Sequence, residues 1–394
     1  MTVISTKVAG DRIGSAEMNA LLNKVQNGTD YDVNIGRIIM PSGFTSTRIQ
    51  NAISSLSGSK GMVICQAATF TVGTTVTLSS YVTLSLNDGT KFLATAGLAA
   101  QANYMVVQFP INTKYATLRG GVIDGAGLSV MGVHFRIFGS EMVSHSRAEY
   151  VTVLNCGRDG AFIIGGRNNV LSGCIAENTQ QIFGGTIAGF FITGLYTERI
   201  VLSNCISRLG TSAVRGFIFE DQCRDIELIG CIADRNNQNQ FSVEGGAGSP
   251  IENISFSGCR ATSGTTSDTS GFRVNWGRSI SFSNCLSEKN AAGGFVITNA
   301  TNVSVVGCTA LNNGRVAASG YRDGIDLDAA TDCIVIGCTS IDRQSTRTQV
   351  LGLRELGTSD RNIVIGNNFR RNANTPINYF IVGASTQVFG NIED

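Results

Sequence analysis

The sequence predicts an all-β fold, a right-handed single-stranded parallel β-helix (solenoid) with an N-terminal capping helix. Two recurring phrases lead to this prediction. One is a short apolar stretch that ends in Gly-Cys or Asn-Cys, and the other is a strand-like stretch that begins with Gly-Phe or a close variant. Repeats spaced by about 20 to 50 residues are typical of stacked coils. Crossovers between parallel strands are right-handed in nearly all proteins.

The first phrase is rich in Val, Ile, Ser and Phe, residues that favour or tolerate strands. Successive copies lie 18 to 31 residues apart. They end at Cys156, Cys174, Cys205, Cys231, Cys259, Cys285, Cys308 and Cys338, and a last copy has Asn367 in place of the cysteine. We expect these cysteines to occupy one repeat position and to stay reduced, because stacked side chains are parallel and a disulfide needs converging ones.

The second phrase is a strand that precedes most copies of the first. It reads GFFIT (189–193), GFIFE (216–220), QFSVE (240–244), GFRVN (271–275), GFVIT (294–298), GIDLD (324–328) and GLREL (352–356). Side chains alternate along a strand, so the first and third residues after the glycine should face the core. The second and fourth should face outward. The spacing from each cysteine to the next second phrase varies, which predicts variable loops that border a binding face.

Residues 1–36 differ from the rest of the chain and are expected to form a separate arm, with residues 37–394 forming the β-helix domain. The stretch SAEMNALLNKV has helical spacing of its apolar residues, and Ser15 stands at the N-cap position. Two interpretations stay open: a terminal arm that packs on the coil, or a head-like attachment and oligomerisation segment.

A second helix is predicted near residues 47–57. Ile49, Ile53 and Leu56 fall on one face there, and three strand-like runs follow directly. A helix at this place can cover the open end of a stack of strands, which would otherwise expose apolar side chains and backbone edges.

Composition narrows the classes of partner. The chain has 394 residues, 47 Gly, 4 Pro and a net charge of +1. A near-neutral chain without a Lys/Arg run argues against nucleic acid and anionic membranes as partners. No apolar stretch is long enough for a membrane span. The start lacks the apolar core of a signal peptide, so we expect synthesis in a bacterial cytoplasm, with an extracellular location as the alternative.

Two resemblances follow from these motifs. The helix RIQNAISSL followed by MVICQAATFTV, together with the GIDLD-type strands, resembles pectate-lyase-like right-handed parallel β-helix proteins. The arm GSAEMNALLNKVQNGTDYDVNIG resembles the head segments of phage tailspikes. The resemblances imply a polysaccharide-degrading, tailspike-like depolymerase in a phage or prophage virion tail, a homotrimer attached to the tail or baseplate.

The outward positions of the second phrase contain candidate catalytic residues. Glu220 and Glu244 fall at the fourth position of adjacent coils, about 5 Å apart. Two carboxylates so close repel, so one should hold its proton near neutral pH. A carboxylic acid beside a carboxylate is the pair that glycoside hydrolysis uses. Arg273, one coil further, could bind an acidic sugar or keep one carboxylate ionised.

The stretch YRDGIDLD contains a second acidic cluster. Asp326 and Asp328 are expected to point outward from one strand, and Asp323 lies in the preceding turn. Their oxygens could hold Ca²⁺ or form a second carboxylate pair. Asp328 should lie about 14 Å from Glu244, three coils away.

Substrate-binding residues are expected beside these carboxyl groups. Trp276 and Phe191 could serve as stacking platforms for sugar rings, and Asn275 shares the column of Glu244. His134 is expected to be exposed and without a special role.

Three function classes remain open from the sequence. The first is a glycoside hydrolase acting on a bacterial surface glycan. The second is a lyase or epimerase acting on a uronic-acid polysaccharide, with Arg273 and Ca²⁺ near the Asp cluster. The third is a non-catalytic glycan-binding or structural tail fibre protein. Apart from this Ca²⁺, no cofactor is expected.

Overall fold

The computed structural model describes residues 37–393, except for Ser57, 102–103, Gln181, 183–186, Ser212, 317–319 and 374–377. The predicted arm over residues 1–36, with its helix, lies outside the described residues. From Arg37 onward the chain is a right-handed all-β parallel solenoid of about 12 turns with very little helix, as the sequence predicts.

Three long parallel sheets run along the solenoid, and each coil passes through them in the order sheet 1, sheet 2, sheet 3. Sheet 1 contains the apolar phrase before most cysteines. Its strands are Arg37–Ile39, Gly61–Cys65, Val82–Leu86, Thr117–Arg119, Arg147–Glu149, Val170–Ser172, Glu198–Ser203, Arg224–Ile229, Ile251–Ser257, Gly277–Ser283, Ser304–Val306, Ile334–Ile336, Ile363–Ile365 and Gln387–Phe389.

Sheet 2 follows the cysteines and has short strands. They are Thr69–Val72, Lys91–Ala94, Val122–Asp124, Thr152–Leu154, Ile175–Glu177, Ile206–Arg208, Ile232–Asp234, Arg260–Thr262, Leu286–Glu288, Thr309–Leu311 and Thr339–Ile341.

Sheet 3 contains the Gly-Phe phrases. Its strands are Val76–Thr77, Met105–Phe109, Met131–Phe135, Gly160–Ile164, Ile187–Ile192, Val214–Phe219, Phe241–Glu244, Phe272–Asn275, Phe295–Thr298, Ile325–Asp328, Leu353–Leu356 and Tyr379–Phe380. A separate antiparallel pair is formed by Ile137–Phe138 and Glu141–Met142.

The predicted helix near residues 47–57 is present as Ser46–Ser55. Its buried residues Ile49 and Ile53 belong to the main hydrophobic core. The side chain of Gln50 also pairs with the main chain of Thr77 in the first strand of sheet 3, at 2.8 and 3.2 Å. A second, short helix spans Ala96–Ala99. No helix in the described part of the chain is both long and apolar enough to cross a membrane.

Phenylalanine fills the core along sheet 3. The first residue after each glycine faces inward, and the rings stack from coil to coil with centroids 4.6 to 4.9 Å apart. The stack consists of Phe162, Phe190, Phe217, Phe241, Phe272 and Phe295. Each ring is almost fully buried. Burial of one such side chain stabilises the fold by about 1.5 to 3 kcal/mol, so this column is a main source of stability.

The Gly-Cys phrase is explained by the corner between sheets 1 and 2. The residue before each stacked cysteine is Gly or Asn with a left-handed backbone, at φ of 51 to 64°. Those residue types adopt this conformation most readily. The next residue, Cys, turns inward. The seven cysteines at this corner are Cys174, Cys205, Cys231, Cys259, Cys285, Cys308 and Cys338, and each has its thiol near a carbonyl oxygen two residues earlier.

One cysteine of the predicted column is elsewhere. Cys156 follows Thr152–Leu154, which is a strand of sheet 2, and Val151 occupies the column position in that coil. The prediction was wrong there because VTVLNC has the composition of a sheet 1 phrase but lies one corner further along the coil. All eleven cysteines of the chain are buried and none forms a disulfide.

The three corners differ in length. From Thr117–Arg119 onward, two residues join sheet 1 to sheet 2 in every coil, whereas five to thirteen join sheet 2 to sheet 3 from Thr152–Leu154 onward. The corner from sheet 3 to sheet 1 ranges from one to eleven residues, and a left-handed residue at φ of 54 to 64° recurs at or near the start of each sheet 1 strand. These residues are Tyr81, Tyr115, His145, Asn168, Arg199, Asp225, Asn253, Ser279, Asn302, Asp332 and Arg361. Connections of variable length therefore border both sides of sheet 3, and the regular corner lies between sheets 1 and 2.

Candidate functional site

The outer side of sheet 3, called here the sheet-3 face, holds every predicted site residue except Trp276 and Asp323, which adjoin it. The strand pairing places outward residues in columns along the solenoid axis. The columns are Met105, Met131, Gly160, Ala188 and Arg215; Gln108, His134, Ile163, Phe191, Ile218, Ser242, Arg273, Val296, Asp326 and Arg354; and Glu220, Glu244, Asn275, Thr298 and Asp328. The predicted alignment of the Gly-Phe phrases is confirmed.

Glu220 and Glu244 lie on adjacent coils. Phe219 pairs with Val243, and each glutamate is the next residue along its strand. Adjacent strands lie about 4.8 Å apart, so the two backbones stand side by side as predicted. Both side chains are half-buried. The Ser242 hydroxyl donates a hydrogen bond to Oε1 of Glu244, which orients that carboxyl group.

Arg273 and Asn275 occupy the next coil, where Asn275 pairs with Glu244 and Arg273 pairs with Ser242. The Nε atom of Arg273 is buried and has no hydrogen-bond partner among the described residues. The side-chain oxygen of Asn275 accepts from the Thr298 hydroxyl at 3.3 Å. Trp276 follows with a left-handed backbone, φ 56°, and is half-buried at the edge of the face.

Asp323 and Asp326 form a buried acidic pair around one cation. Arg354 Nε lies 2.6 Å from Asp323 Oδ2, and its Nη2 lies 3.0 Å from Asp326 Oδ1. Both carboxyl groups are about 1% exposed or less. Burial raises the pKa of Asp326 well above its ordinary value, and the neighbouring Asp323 charge raises it further. Burial also raises the pKa of Asp323. The pair can therefore keep a proton that exposed aspartates would lose.

Asp328 is directed away from this pair. Its Oδ2 accepts a hydrogen bond from the Tyr321 hydroxyl at 2.9 Å. Burial, followed by this bond to Asp328, raises the pKa of Tyr321 to about 12. The phenol therefore stays protonated at neutral pH and acts as a donor.

The three aspartates do not fit the predicted Ca²⁺ site. The Arg354 guanidinium already lies between two of the carboxylates, and a second cation there would be repelled. Within the described residues, no group of three or more His, Cys, Asp or Glu is arranged to hold a metal.

Two expectations about exposure need correction. Asp326 lies on the outer side of its strand, but it is 0% exposed because neighbouring chain covers it. Its Oδ2 faces Gly293, where even a Cβ atom would come within 2.9 Å. His134 is half-buried rather than exposed, with Nδ1 3.3 Å from Met105 Sδ. Burial lowers the pKa of His134 to about 4, with a smaller effect of Arg136, so it is neutral at pH 7.

Three polar residues of this region were missed by the sequence analysis. Arg354 pairs directly with Asp326, which its place in the same outward column could have indicated. Tyr321 lies outside the repeating phrases, so no periodicity indicated its hydrogen bond to Asp328. Arg215 precedes a Gly-Phe phrase and pairs with Ala188, so it joins the outer side three positions before the expected column at Ile218.

Comparisons with known proteins agree with this architecture. No family model matches the chain, and no curated protein matches it in sequence. The structure is similar to the A-module of the mannuronan C-5 epimerase AlgE4 of Azotobacter vinelandii, with a TM-score of 0.70 and 15% identity over 87% of this chain and 95% of that one.

Two further similar structures are of proteins other than epimerases, one a phage tailspike and the other a hydrolase. Tailspike protein 3 of bacteriophage CBA120 gives a TM-score of 0.62 and 14% identity over 96% of this chain and 69% of that one. Endo-xylogalacturonan hydrolase of Aspergillus tubingensis gives a TM-score of 0.51 and 14% identity over 88% of this chain and 99% of that one. The neighbours thus include tailspikes and pectate-lyase-like right-handed β-helix proteins. At these identities the likeness shows the fold.

Proposed function

We propose that this chain is a tailspike-type depolymerase, a glycoside hydrolase that cleaves a bacterial surface polysaccharide on the sheet-3 face. The observation that carries the proposal is the position of Glu220 and Glu244, half-buried carboxyl groups at equivalent sites of adjacent coils. Hydrolysis of a glycosidic bond uses one carboxyl group to protonate the leaving oxygen and a second to attack or to activate water. The neighbours named as tailspike and hydrolase share this fold and support the same class.

The hydrogen bond from Ser242 assigns the two roles. Because the hydroxyl donates to Glu244, this residue is held as an acceptor and is proposed as the nucleophile or base. Glu220 is then the acid. Backbones about 4.8 Å apart are closer to the carboxyl spacing of about 5 to 5.5 Å in retaining enzymes than to the larger spacing of inverting ones. The proposal therefore includes retention of the anomeric configuration.

Side chains along the same face would hold the polymer. Trp276 and Phe191 are half-buried aromatic rings on either side of the glutamates, and the flat side of a sugar can pack on such rings. Asn275 and Arg273 offer an amide and a cation one coil beyond Glu244.

The test is incubation of the full chain with a panel of bacterial capsules and O-antigens, with products read by mass spectrometry. Products that gain the mass of one water support hydrolysis, and NMR of the first product gives the configuration. Binding without any product would contradict the proposal and favour a glycan-binding fibre.

A second candidate is a lyase or epimerase acting on a uronic-acid polymer. The observation that favours it is the Tyr321–Asp328 pair, a phenol and a carboxylate 2.9 Å apart on the same face. Such a pair can relay a proton at a sugar carbon. An unsaturated product that absorbs in the ultraviolet would identify a lyase. Exchange of a sugar proton with deuterated solvent, without cleavage, would identify an epimerase.

We also propose a location in a virion tail and assembly as a homotrimer. The resemblance of residues 1–36 to tailspike heads and the tailspike neighbours support this proposal. Immunogold labelling of virions from an induced lysogen, or of phage that encode the chain, would test the location.

A further inference from the structure

The sheet-3 face changes character along the solenoid axis, and Glu220 and Glu244 lie where it changes. Toward the N-terminal coils the outward positions are mostly apolar, with Gln108 and His134 as polar exceptions. Toward the C-terminal coils they are mostly polar or charged, with Val296 as an apolar exception. The apolar positions are Met105, Met131, Ile163, Phe191 and Ile218; the polar or charged ones are Arg215, Ser242, Arg273, Asp326 and Arg354. The candidate catalytic pair therefore divides two chemically different surfaces.

The apolar half is a hydrophobic cluster outside the main core. Met105, Met131 and Ile163 are only 5 to 7% exposed although they point away from the solenoid interior. Phe191 and Tyr104 pack against them and keep part of their rings exposed. A rim of half-exposed aromatic rings over apolar side chains suits the CH-rich face or the methyl group of a sugar, and it offers little to hydroxyl-rich or charged groups.

The polar half contains two arginines with no side-chain partner in the described part of the chain, Arg215 and Arg273. They stand on coils on either side of the coil of Glu244 and three positions apart along the strand direction, so their backbones are about 14 Å apart. Each has a buried Nε without a hydrogen-bond partner among the described residues. Neither forms an ion pair with a described carboxylate, whereas most other arginines near carboxylates do. A buried N–H left without an acceptor is costly, which points to an acceptor supplied by a ligand.

The ligand must bring an oxyanion. A guanidinium presents a planar fork of donors that matches a carboxylate or a phosphate group. Ser242 lies between the two arginines in the same face and adds a hydroxyl. Glu244, on the coil between the two arginines, accepts a hydrogen bond from this hydroxyl.

We propose that the substrate is a heteropolymer with acidic units over Arg215 and Arg273 and a less polar unit, deoxy or N-acetylated, over Phe191. Arg215 lies on the coil of Glu220, and the units over Phe191 and Arg273 flank the bond positioned at Glu220 and Glu244. This inference rests on the proposed function for the position of the scissile bond. Binding of the two units depends only on the side chains of the sheet-3 face.

The experiment measures binding, so that it is independent of turnover. Full-length chain with Glu244→Gln is titrated with acidic bacterial polysaccharides of known composition, with the same polymers after carboxyl reduction, and with the same polymers after dephosphorylation. We expect affinity to fall about tenfold or more when the anionic group is removed, as for loss of a charge-assisted hydrogen bond. The treatment that weakens binding identifies the anion as carboxylate or phosphate.

Variants locate the two units. Arg215→Gln and Arg273→Gln, added to Glu244→Gln, should each weaken binding of the acidic polymer and leave binding of the neutralised polymer unchanged. Arg235→Gln is the matched control, since Arg235 is exposed and pairs with Asp234 away from this face. Phe191→Ser should weaken binding of polymers that contain deoxy or N-acetyl sugars. Phe389→Ser, at an exposed ring on the last strand of sheet 1, is its control. Thermal melting checks that every variant is folded.

Three outcomes would each overturn the inference. They are equal affinity for native and neutralised polymers, no binding to any acidic polymer, and arginine variants that bind like the control. Hydrolysis of a neutral glycan would then still uphold the proposed function. Conversely, arginine-dependent binding without any cleavage by the unsubstituted chain would uphold the inference and contradict the hydrolase.

Discussion

Asp326 and Arg354 occupy paired positions on adjacent coils, and the guanidinium Nη2 lies 3.0 Å from Asp326 Oδ1. The same guanidinium reaches Asp323. One cation therefore faces two buried carboxyl groups, and their combined charge is balanced only while one of them holds a proton. This arrangement links the stability of these coils to pH.

The free energy of unfolding should fall as pH rises above the ordinary aspartate value of 3.8 toward the raised pKa of the pair. The sign follows because the folded state binds more protons than the unfolded state in this window. Asp326→Asn should make this pH dependence weaker, since the amide cannot titrate. Denaturant unfolding measured from pH 4 to 8 gives the slope.

Asp268→Asn is the control for that series, because Asp268 is exposed. It should keep the slope of the unsubstituted chain. If Asp326→Asn keeps that slope as well, the buried pair does not titrate as described.

Replacement of either glutamate by glutamine should remove most of the activity. Glu220→Gln or Glu244→Gln is expected to lower turnover by roughly 10² to 10⁴-fold with the fold intact, as for loss of general acid–base catalysis. Glu227→Gln, at an exposed position on sheet 1, should have no effect. Turnover is measured on whichever glycan of the panel is cleaved. Full activity in both variants, with loss in Asp326→Asn or Asp328→Asn, would move the chemistry to the GIDLD strand.

The glycine of the Gly-Phe phrase should be irreplaceable. A Cβ atom on Gly271 would overlap the Ser287 hydroxyl and lie 2.8 Å from the Gly294 carbonyl oxygen. Gly271→Ala should therefore destabilise the fold by about 1 to 3 kcal/mol, as overpacking does. Gly248→Ala meets no atom within 4 Å and should be neutral. Chemical denaturation of both variants compares them, and equal stability would contradict the close contact.

The cysteines should be unreactive in the folded chain. All eleven are buried, and burial raises the pKa of Cys65 and of Cys156 to about 12. A thiol reagent should label none of them quickly in native buffer and all eleven in denaturant, because the reagent cannot reach a buried thiol until the chain unfolds. A disulfide between any two of the stacked cysteines in a non-reducing mass map would be incompatible with the column.

The oligomeric state is expected to be trimeric. Light scattering of the full chain at micromolar concentration should give three times the monomer mass. A monomer at that concentration would count against the proposed tailspike assembly.

The fold could be predicted from the sequence because every coil of a solenoid has the same packing and backbone requirements at the same positions. The left-handed corner before each stacked cysteine favours Gly or Asn, and the inward first position takes an apolar side chain, most often Phe, so both leave periodic marks. The error at Cys156 arose where one coil has Val151 in the column and an isolated cysteine at the next corner.

The site was less predictable because several of its side-chain contacts involve residues in the loops, which do not follow the repeat. Strand alternation placed Glu220 beside Glu244 correctly. It could not show that Asp326 would be covered, since its carboxyl group lies against Gly293, which is outside the strand itself. Strict alternation would also direct Arg215 inward. It faces outward because Gly216 and Phe217, two successive residues, both lie on the inner side of the strand.

The unequal corners have an evolutionary consequence. The corner from sheet 1 to sheet 2 holds two residues in every coil from Thr117–Arg119 onward, so an added residue there would break the stacking of its neighbours. The connections on both sides of sheet 3 already differ in length and can accept insertions. Insertions can therefore remodel both edges of the sheet-3 face during evolution and leave its strands in register. The ligand specificity of the face can then change while the stacked columns are inherited unchanged.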